Sequence, residues 1–257
     1  MLAFAGHFGA FAEPVAARHL EGTLHGFLAL TTDQGQVLAD GDLIEVVRGN
    51  RVTTRLTFHF KDGSVDDETA VYTQRGNFRL ISNHHVQKGP YFPHPIDLLI
   101  DVPKGMVTVR TTDKNGKEEV TTEHMNLPLD LYNGLVIPIV KNLRPETPET
   151  KVSMIVTTPK PRLVKLAITP RGTKGFALAG VPRKALAYEI KIEIGGLAGI
   201  IAPLVGKEPP PIEIWVVNGE VPAFVREIGP LFESGGLLTI SLASPTWPSE
   251  PHAESGK

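Results

Sequence analysis

The chain contains no cysteine among its 257 residues. This absence excludes disulfide bonds, thiolate metal sites and a cysteine nucleophile. Aromatic residues make up only 7% of the chain and the formal net charge is -2, so the sequence lacks the stacking platforms and the basic field that a nucleic-acid partner requires. No uncharged apolar run reaches the 18 residues that a membrane-spanning helix needs. We therefore expect neither nucleic-acid binding nor a transmembrane helix.

The sequence also lacks the common motifs of catalytic and cofactor sites. It has no GxSxG serine elbow, no GxGxxG dinucleotide loop and no HExxH zinc pair. Gly206-Lys207 ends a segment with some likeness to a phosphate loop, but Ile201 and Glu208 replace the glycine and the hydroxyl that such a loop needs. We therefore predict no cofactor.

Turn-forming residues are abundant instead, with 25 glycines and 22 prolines, and this composition disfavours a long helical bundle. The dominant pattern has a period of two. Within residues 51–60, Val52, Leu56, Phe58 and Phe60 alternate with polar residues, which is typical of a strand with one buried and one solvated face.

The same alternation predicts about a dozen further segments of antiparallel sheet, several of them joined by glycine turns such as Asn115-Gly116 and Asn218-Gly219. The predicted strands are Leu20–Thr31, Val37–Arg48, Arg51–Phe60, Asp67–Arg75, Phe78–Val86, Met106–Thr112, Glu118–His124, Lys151–Thr157, Arg162–Thr169, Leu186–Ile194, Ile212–Val217, Glu220–Glu227 and Leu237–Ala243.

One segment has helical spacing instead. Residues 129–143 place Leu131, Leu135, Ile139 and Leu143 on one helical face, and Pro138 should kink or split the helix. Scarce helices exclude repeated βαβ units. We predict a mainly β fold: a large antiparallel curved sheet or half-barrel, or the same sheet folded into two layers, with one or two short helices.

The two ends of the chain differ from its middle. Ala10-Phe11-Ala12 before Glu13-Pro14 has the A-x-A pattern of a signal-peptidase site, although no basic n-region precedes it. Residues 1–17 are therefore interpreted as a signal-peptide remnant or a loose N-terminus, and the protein as periplasmic or otherwise exported. We expect a single β domain over residues 18–243 and a disordered, proline-rich tail over residues 244–257.

Histidines and aspartates cluster around three prolines between residues 84 and 101, and they are the candidate chemical groups of the chain. The catalytic candidates are His84, His85, His94 and Asp97, and the metal-ligand candidates are His94, Asp97 and Asp101. Imidazoles and carboxylates suit zinc or a similar divalent ion. Neighbouring residues of a strand point to opposite faces, however, so the alternative is a set of surface or cavity-lining histidines.

Two further segments allow more than one interpretation. Asp66-Asp67-Glu68 could supply oxygen ligands to calcium, but a solvated shoulder of a hairpin is the simpler interpretation. Residues 195–206 read GGLAGIIAPLVG without any charge. They form either a buried corner of the sheet or a lid over an apolar cavity.

The exported N-terminus, the long meander and the helical interruption after Asn126-Leu127-Pro128-Leu129 resemble, over residues 20–243 and by architecture only, the bacterial lipoprotein-carrier half-barrels (Lol-type factors) and related uncharacterised exported families. In those families a curved sheet wraps around helices and its concave face receives acyl chains. The resemblance implies lipophilic-ligand binding, and it assigns no individual residue because no diagnostic motif is shared.

The leading hypothesis is therefore an exported binding or carrier-like protein for a lipid or other hydrophobic molecule. The apolar residues of the strands and of the helix supply the candidate lining. They are Leu56, Phe58, Phe60, Phe78, Leu80, Leu135, Ile139, Ile190 and Ile192. The alternatives are a metal- or histidine-assisted hydrolase of a lipophilic ester or lactone and a structural module of the envelope.

Overall fold

The computed structural model describes residues 14–112, 117–157, 160–178, 180–193, 210–232 and 235–243. These ranges contain fourteen strands and one helix. The elements are β1 Leu24–Thr32, β2 Val37–Arg48, β3 Arg51–Phe60, β4 Val65–Thr73, β5 Arg79–Lys88, β6 Ile96–Asp101, β7 Met106–Thr112, β8 Glu118–His124, α1 Val136–Asn142, β9 Thr150–Thr157, β10 Pro161–Leu178, β11 Val181–Glu193, β12 Ile212–Val217, β13 Ala223–Gly229 and β14 Leu238–Leu242.

All fourteen strands belong to one antiparallel sheet with the order β8-β7-β6-β5-β4-β3-β2-β1-β14-β13-β12-β11-β10-β9. Two meanders, β1–β8 and β9–β14, are joined where β1 pairs with β14, for example at Leu30 opposite Ile240. The edge strands β8 and β9 form no ladder with each other among the described residues. The sheet is therefore open, and the predicted mainly β antiparallel fold is confirmed.

The sheet curls so that the concave faces of its two halves meet. Phe60 of β3 packs in one cluster with Phe92, Leu238 and Ile240, although β3 and β14 are separated by two strands. Gln87 Nε2 of β5 donates to the carbonyl of Leu231, beyond β13, at 2.9 Å. Residues from strands distant in the order thus share one interior.

The segment between β8 and β9 runs from one edge of the sheet to the other through this interior. It carries α1, and the side chains of Leu131, Tyr132, Leu135 and Ile139 are buried. They pack with concave-face residues of both meanders, among them Val109. This crossing segment fills one end of the curled sheet, since its apolar side chains exclude water from both halves at once.

The helix is shorter than predicted. The sequence pattern indicates residues 129–143, whereas α1 spans only Val136–Asn142. Gly134, two residues before Val136, has a φ of +72°, a conformation that cannot belong to a right-handed helix. Pro138 does not split the helix, because it lies in the first turn, where backbone N–H groups have no helical partner.

Two other expectations about the strands need correction. Ile96–Asp101 forms β6, a strand that the prediction lacks. The hairpin of β10 and β11 is also longer than predicted, because a register shift between Pro170 and Thr173 lets the ladder continue. A proline and a glycine in this stretch are typical of a turn, but here they belong to a bulge.

The described N-terminal residues are held against the sheet. Ala16 bridges to Asn77, and the backbone N–H of Val15 donates to Tyr132 Oη at 2.9 Å. Residues 14–17 therefore pack with the domain, although the prediction places its boundary after residue 17. Residues 1–13 of the predicted signal-peptide remnant or loose N-terminus, the apolar segment 195–206 and the predicted tail 244–257 lie outside the described residues.

A glycine on the concave face sets a tight contact that can be tested. A Cβ at Gly41 would lie 2.4 Å from Phe58 Cε1 and 3.1 Å from Leu28 Cβ. We expect Gly41→Ala to destabilise the fold by about 1–3 kcal/mol through overpacking, measured by urea unfolding. Gly26 is the matched control on β1, since its nearest neighbours would lie 3.9 Å away. Equal stability of the two alanine variants would contradict the prediction.

Candidate functional site

The curled sheet encloses a cavity of about 2110 Å³ between its two cores. Concave-face residues of both meanders and of α1 line it, including Leu43, Leu98, Ile137 and Ile212. Its wall is mostly apolar. Several lining residues are large, apolar and exposed, so they form a mouth that opens to solvent. These mouth residues are Leu20, Leu24, Val221 and Leu242.

The nine predicted lining residues divide into two groups. Four of them line the cavity: Leu56, Phe58, Ile190 and Ile192. The other five are buried in the cores and do not line it. These are Phe60, Phe78, Leu80, Leu135 and Ile139. Leu135 and Ile139 belong to the crossing segment, which packs with Phe78 and Leu80 in one core. Phe60 packs against Tyr91 and Phe92 in the other core.

The candidate histidines and aspartates do not converge. His84 and His85 point to opposite faces of β5: His84 Nε2 lies 2.9 Å from Asp97 Oδ1 on the solvated face, whereas His85 lines the cavity. Asp101 forms an ion pair with Lys104 at 2.7 Å. His94 is an exposed residue of the cavity wall.

No group of three or more histidine, aspartate or glutamate side chains in the described part of the chain is arranged to hold a metal ion. The predicted set His94, Asp97 and Asp101 is therefore not assembled in the structure. The reason is the period-two geometry of β6, which turns Asp97 and Asp101 away from the cavity that His94 lines.

The cavity-facing histidine is held as a cation. His85 Nε2 lies 2.7 Å from Asp66 Oδ1, and Gln87 Nε2 donates to Asp66 Oδ2 at 3.0 Å. Burial lowers the pKa of His85, but the hydrogen bond to Asp66 and the negative charge of Glu68 outweigh it and raise the pKa to about 9. A protonated imidazole cannot act as a general base at neutral pH, which argues against a histidine-assisted hydrolase at this position.

Carboxyl groups form a second feature of the cavity. Glu21 and Glu45 both line it with residue exposures of only 6% and 4%. Glu21 Oε2 pairs with Lys141 Nζ of α1 at 2.5 Å. Burial, and then the charge of Glu21, raise the pKa of Glu45 to about 7, while Lys141 opposes the shift. This carboxyl group is therefore partly protonated at neutral pH.

Two further carboxyl groups approach each other from distant strands. Glu227 of β13 and Glu68 of β4 both line the cavity. Glu68 Oε1 accepts a hydrogen bond from Asn83 Nδ2 at 2.9 Å. Glu227 has no hydrogen bond or ion pair among the described residues, and burial, then the charges of Glu68 and Asp66, raise its pKa to about 7.

Sequence reasoning missed these inward-facing acids. Glu68 belongs to the stretch interpreted as a solvated shoulder, yet it lines the cavity, and its neighbour Asp66 is buried. The sequence did contain a signal, because residues two apart on a strand point to the same face. Glu45 therefore shares a face with Leu43, and Glu68 with Ala70. An acidic residue on the apolar face of a strand indicates a polar group that faces the interior.

These raised pKa values make stability depend on pH. Folding raises the pKa of Glu45 and of Glu227 from 4.5 to about 7. Between pH 4.5 and 7 the folded state therefore binds more protons than the unfolded chain. Folding raises the pKa of His85 from 6.5 to about 9, so the folded state also binds more protons than the unfolded chain between pH 6.5 and 9. Stability should therefore fall as pH rises from about 5 to 9, by roughly 1–3 kcal/mol for each group.

Urea unfolding at pH 5.5, 7 and 9 measures this dependence. Glu45→Gln should flatten the acidic part of the profile, whereas Glu118→Gln, at an exposed position, should leave it unchanged. A protein that becomes more stable between pH 5.5 and 7 would contradict the assignment of buried, proton-binding carboxyl groups.

No protein-family model matches the chain, and no curated protein matches it. Among the described residues no helix is long and apolar enough to cross a membrane. The chain is similar to a solved structure, the crystal structure of a beta-barrel-like protein of the domain of unknown function DUF1849 from Brucella abortus. The TM-score is 0.48 and the identity 9%, over 85% of this chain and 94% of that chain. The resemblance to Lol-type carriers stays a prediction.

Proposed function

We propose that this protein is an exported binding or carrier-like protein for a lipid or other hydrophobic ligand. The observation that carries the proposal is the cavity of about 2110 Å³. Ordinary small-molecule sites occupy about 300–1,000 Å³, so this cavity has room for an extended acyl chain or for more than one. Its mostly apolar wall favours a ligand of that kind.

The energetics of such binding need no chemical step. Each methylene moved from water into an apolar cavity contributes about 0.8 kcal/mol. The exposed apolar residues of the mouth, for instance Val221 with an exposure of 83%, give an apolar chain an entry path. Large exposed apolar side chains at the rim of a cavity are typical of ligand or partner contact.

Export is the part of the proposal that rests on sequence alone. Ala10-Phe11-Ala12 supports it through its cleavage pattern. N-terminal sequencing of the protein from native cells tests it: a mature N-terminus near Glu13 supports export, and an intact Met1 contradicts it.

Uptake of a neutral apolar dye tests the binding function. Phenylnaphthylamine, whose fluorescence rises in apolar surroundings, should bind with a Kd on the order of 1 μM. Native mass spectrometry of the gently purified protein should show added mass that organic extraction removes. The proposal would be overturned if the protein carried no lipid before organic extraction and took up no dye after it.

A further inference from the structure

The deep polar groups of the cavity are predominantly acidic. We call Glu21, Glu45, Glu68 and Glu227 the inner acidic surface, since all four line the same cavity. They come from the N-terminal segment, β2, β4 and β13, so the curl of the sheet brings them to one interior. An apolar ligand without a polar group would need none of them.

The cations that line the same cavity neutralise this surface only in part. Lys141 is paired with Glu21, and Lys165 is paired with Asp130 at 2.8 Å. His85 is paired with Asp66, Arg162 is also engaged and Lys160 is exposed. None of these cations forms an ion pair with Glu45, Glu68 or Glu227 in the described structure, although the charge of Lys141 lowers the pKa of Glu45 and the charge of Glu68 raises that of His85.

One buried acceptor atom of the cavity wall lacks a hydrogen-bond donor. Glu21 Oε1 belongs to a cavity-lining residue with an exposure of 6% and has no partner in the described structure. Buried acceptors are satisfied in almost all proteins, so a donor brought by a ligand would relieve this cost.

We propose that the cavity binds an amphiphile with an apolar tail and a cationic, hydrogen-bond-donating head of the primary ammonium class, and that the inner acidic surface holds the head, with Glu227 as one contact because it lines the cavity without a hydrogen bond or ion pair in the described structure. This inference rests on the proposed binding function and names its ligand class. An ammonium group supplies three donors and one positive charge, which match the unpartnered Oε1 of Glu21 and the excess of carboxyl groups over cations in the cavity wall.

Competition with the bound neutral dye tests the head group. Dodecylamine, dodecanol and dodecanoate share one tail length and differ in the head. The amine and the carboxylate are used below their micelle concentrations and dodecanol below its solubility limit. The concentration of dodecylamine that displaces the dye should be about tenfold lower than that of dodecanol. Dodecanoate should need the highest concentration of the three.

Single substitutions locate the head in the unchanged fold. Glu227→Gln keeps the shape of the side chain, and it should weaken dodecylamine about tenfold while leaving dodecanol within about twofold. Glu118→Gln is the control, since it removes the same charge at an exposed position outside the cavity. Lysophosphatidylethanolamine, as a further competitor, distinguishes a phospholipid head amine from a free alkyl amine, and displacement by either supports the inference.

The outcomes separate the two proposals. Dye uptake with equal displacement by all three heads, or with dodecanoate as the best competitor, overturns the ammonium head and leaves the binding function intact. An amine preference that survives Glu227→Gln unchanged overturns the assignment of Glu227. Absence of dye uptake overturns the binding function itself. The head-group comparison on the unaltered protein stands even where a variant is unstable.

Discussion

Replacement of Asn142 by alanine should lower the free energy of unfolding by about 3 kcal/mol or more. Asn142 is buried at the end of α1, with an exposure of 2%. Its Oδ1 accepts hydrogen bonds from the backbone N–H groups of Arg18 and His19, each at 2.7 Å. Its Nδ2 donates to the carbonyls of His19 and Pro138 at 3.2 and 2.9 Å. Alanine removes all four bonds. The N–H of His19 and the carbonyls of His19 and Pro138 lose this partner, while the N–H of Arg18 keeps the carbonyl of Ala16 at 3.1 Å.

Urea unfolding measures the global loss, and hydrogen exchange of residues 14–23 shows where it begins. This N-terminal segment lines the cavity through His19, Leu20 and Glu21, so its release should be seen first. Asn218→Ala is the control at an exposed turn and should change stability by less than about 0.5 kcal/mol. A loss of less than 1 kcal/mol in Asn142→Ala would contradict the role given to this side chain.

The strands could be predicted because their period-two pattern follows from one buried and one solvated face. The bounds of Val37–Arg48, Arg51–Phe60 and Met106–Thr112 agree with the predicted ones. The same alternation is present in Ile96–Asp101, but interpreting its aspartates as metal ligands obscures the strand. The local pattern was thus sufficient to predict most strands of the sheet. The strand Ile96–Asp101 was missed because its aspartates were interpreted as metal ligands.

The division between core and cavity could not be predicted in the same way. Leu56 and Phe78 are both apolar residues of segments with alternating apolar and polar positions. Leu56 nevertheless lines the cavity, whereas Phe78 is fully buried in a core. What separates them is the crossing segment with Leu131 and Tyr132, which fills only one end of the curled sheet. That arrangement depends on contacts between residues far apart in sequence, and a single strand carries no record of them.

Leu43→Asn should weaken binding of the neutral dye about tenfold. Leu43 lines the cavity and lies between Gly26 of β1 and Leu56 of β3 in the ladder, so it belongs to the apolar floor that a ligand tail would contact. Asparagine removes apolar contact area and adds an amide that the bound dye would desolvate without a hydrogen bond. Because Leu43 is only partly buried, the fold should tolerate the change.

The next residue along the strand supplies the matched control. Ile44 points to the opposite face of β2, is 41% exposed and does not line the cavity. Ile44→Asn should therefore leave the Kd of the dye unchanged within about twofold, while Leu43→Asn should not. Titration of both variants, each checked by urea unfolding, separates a loss of ligand contact from a loss of folded protein. Equal affinities in the two variants would place the dye outside the cavity, because only the concave face distinguishes these neighbours.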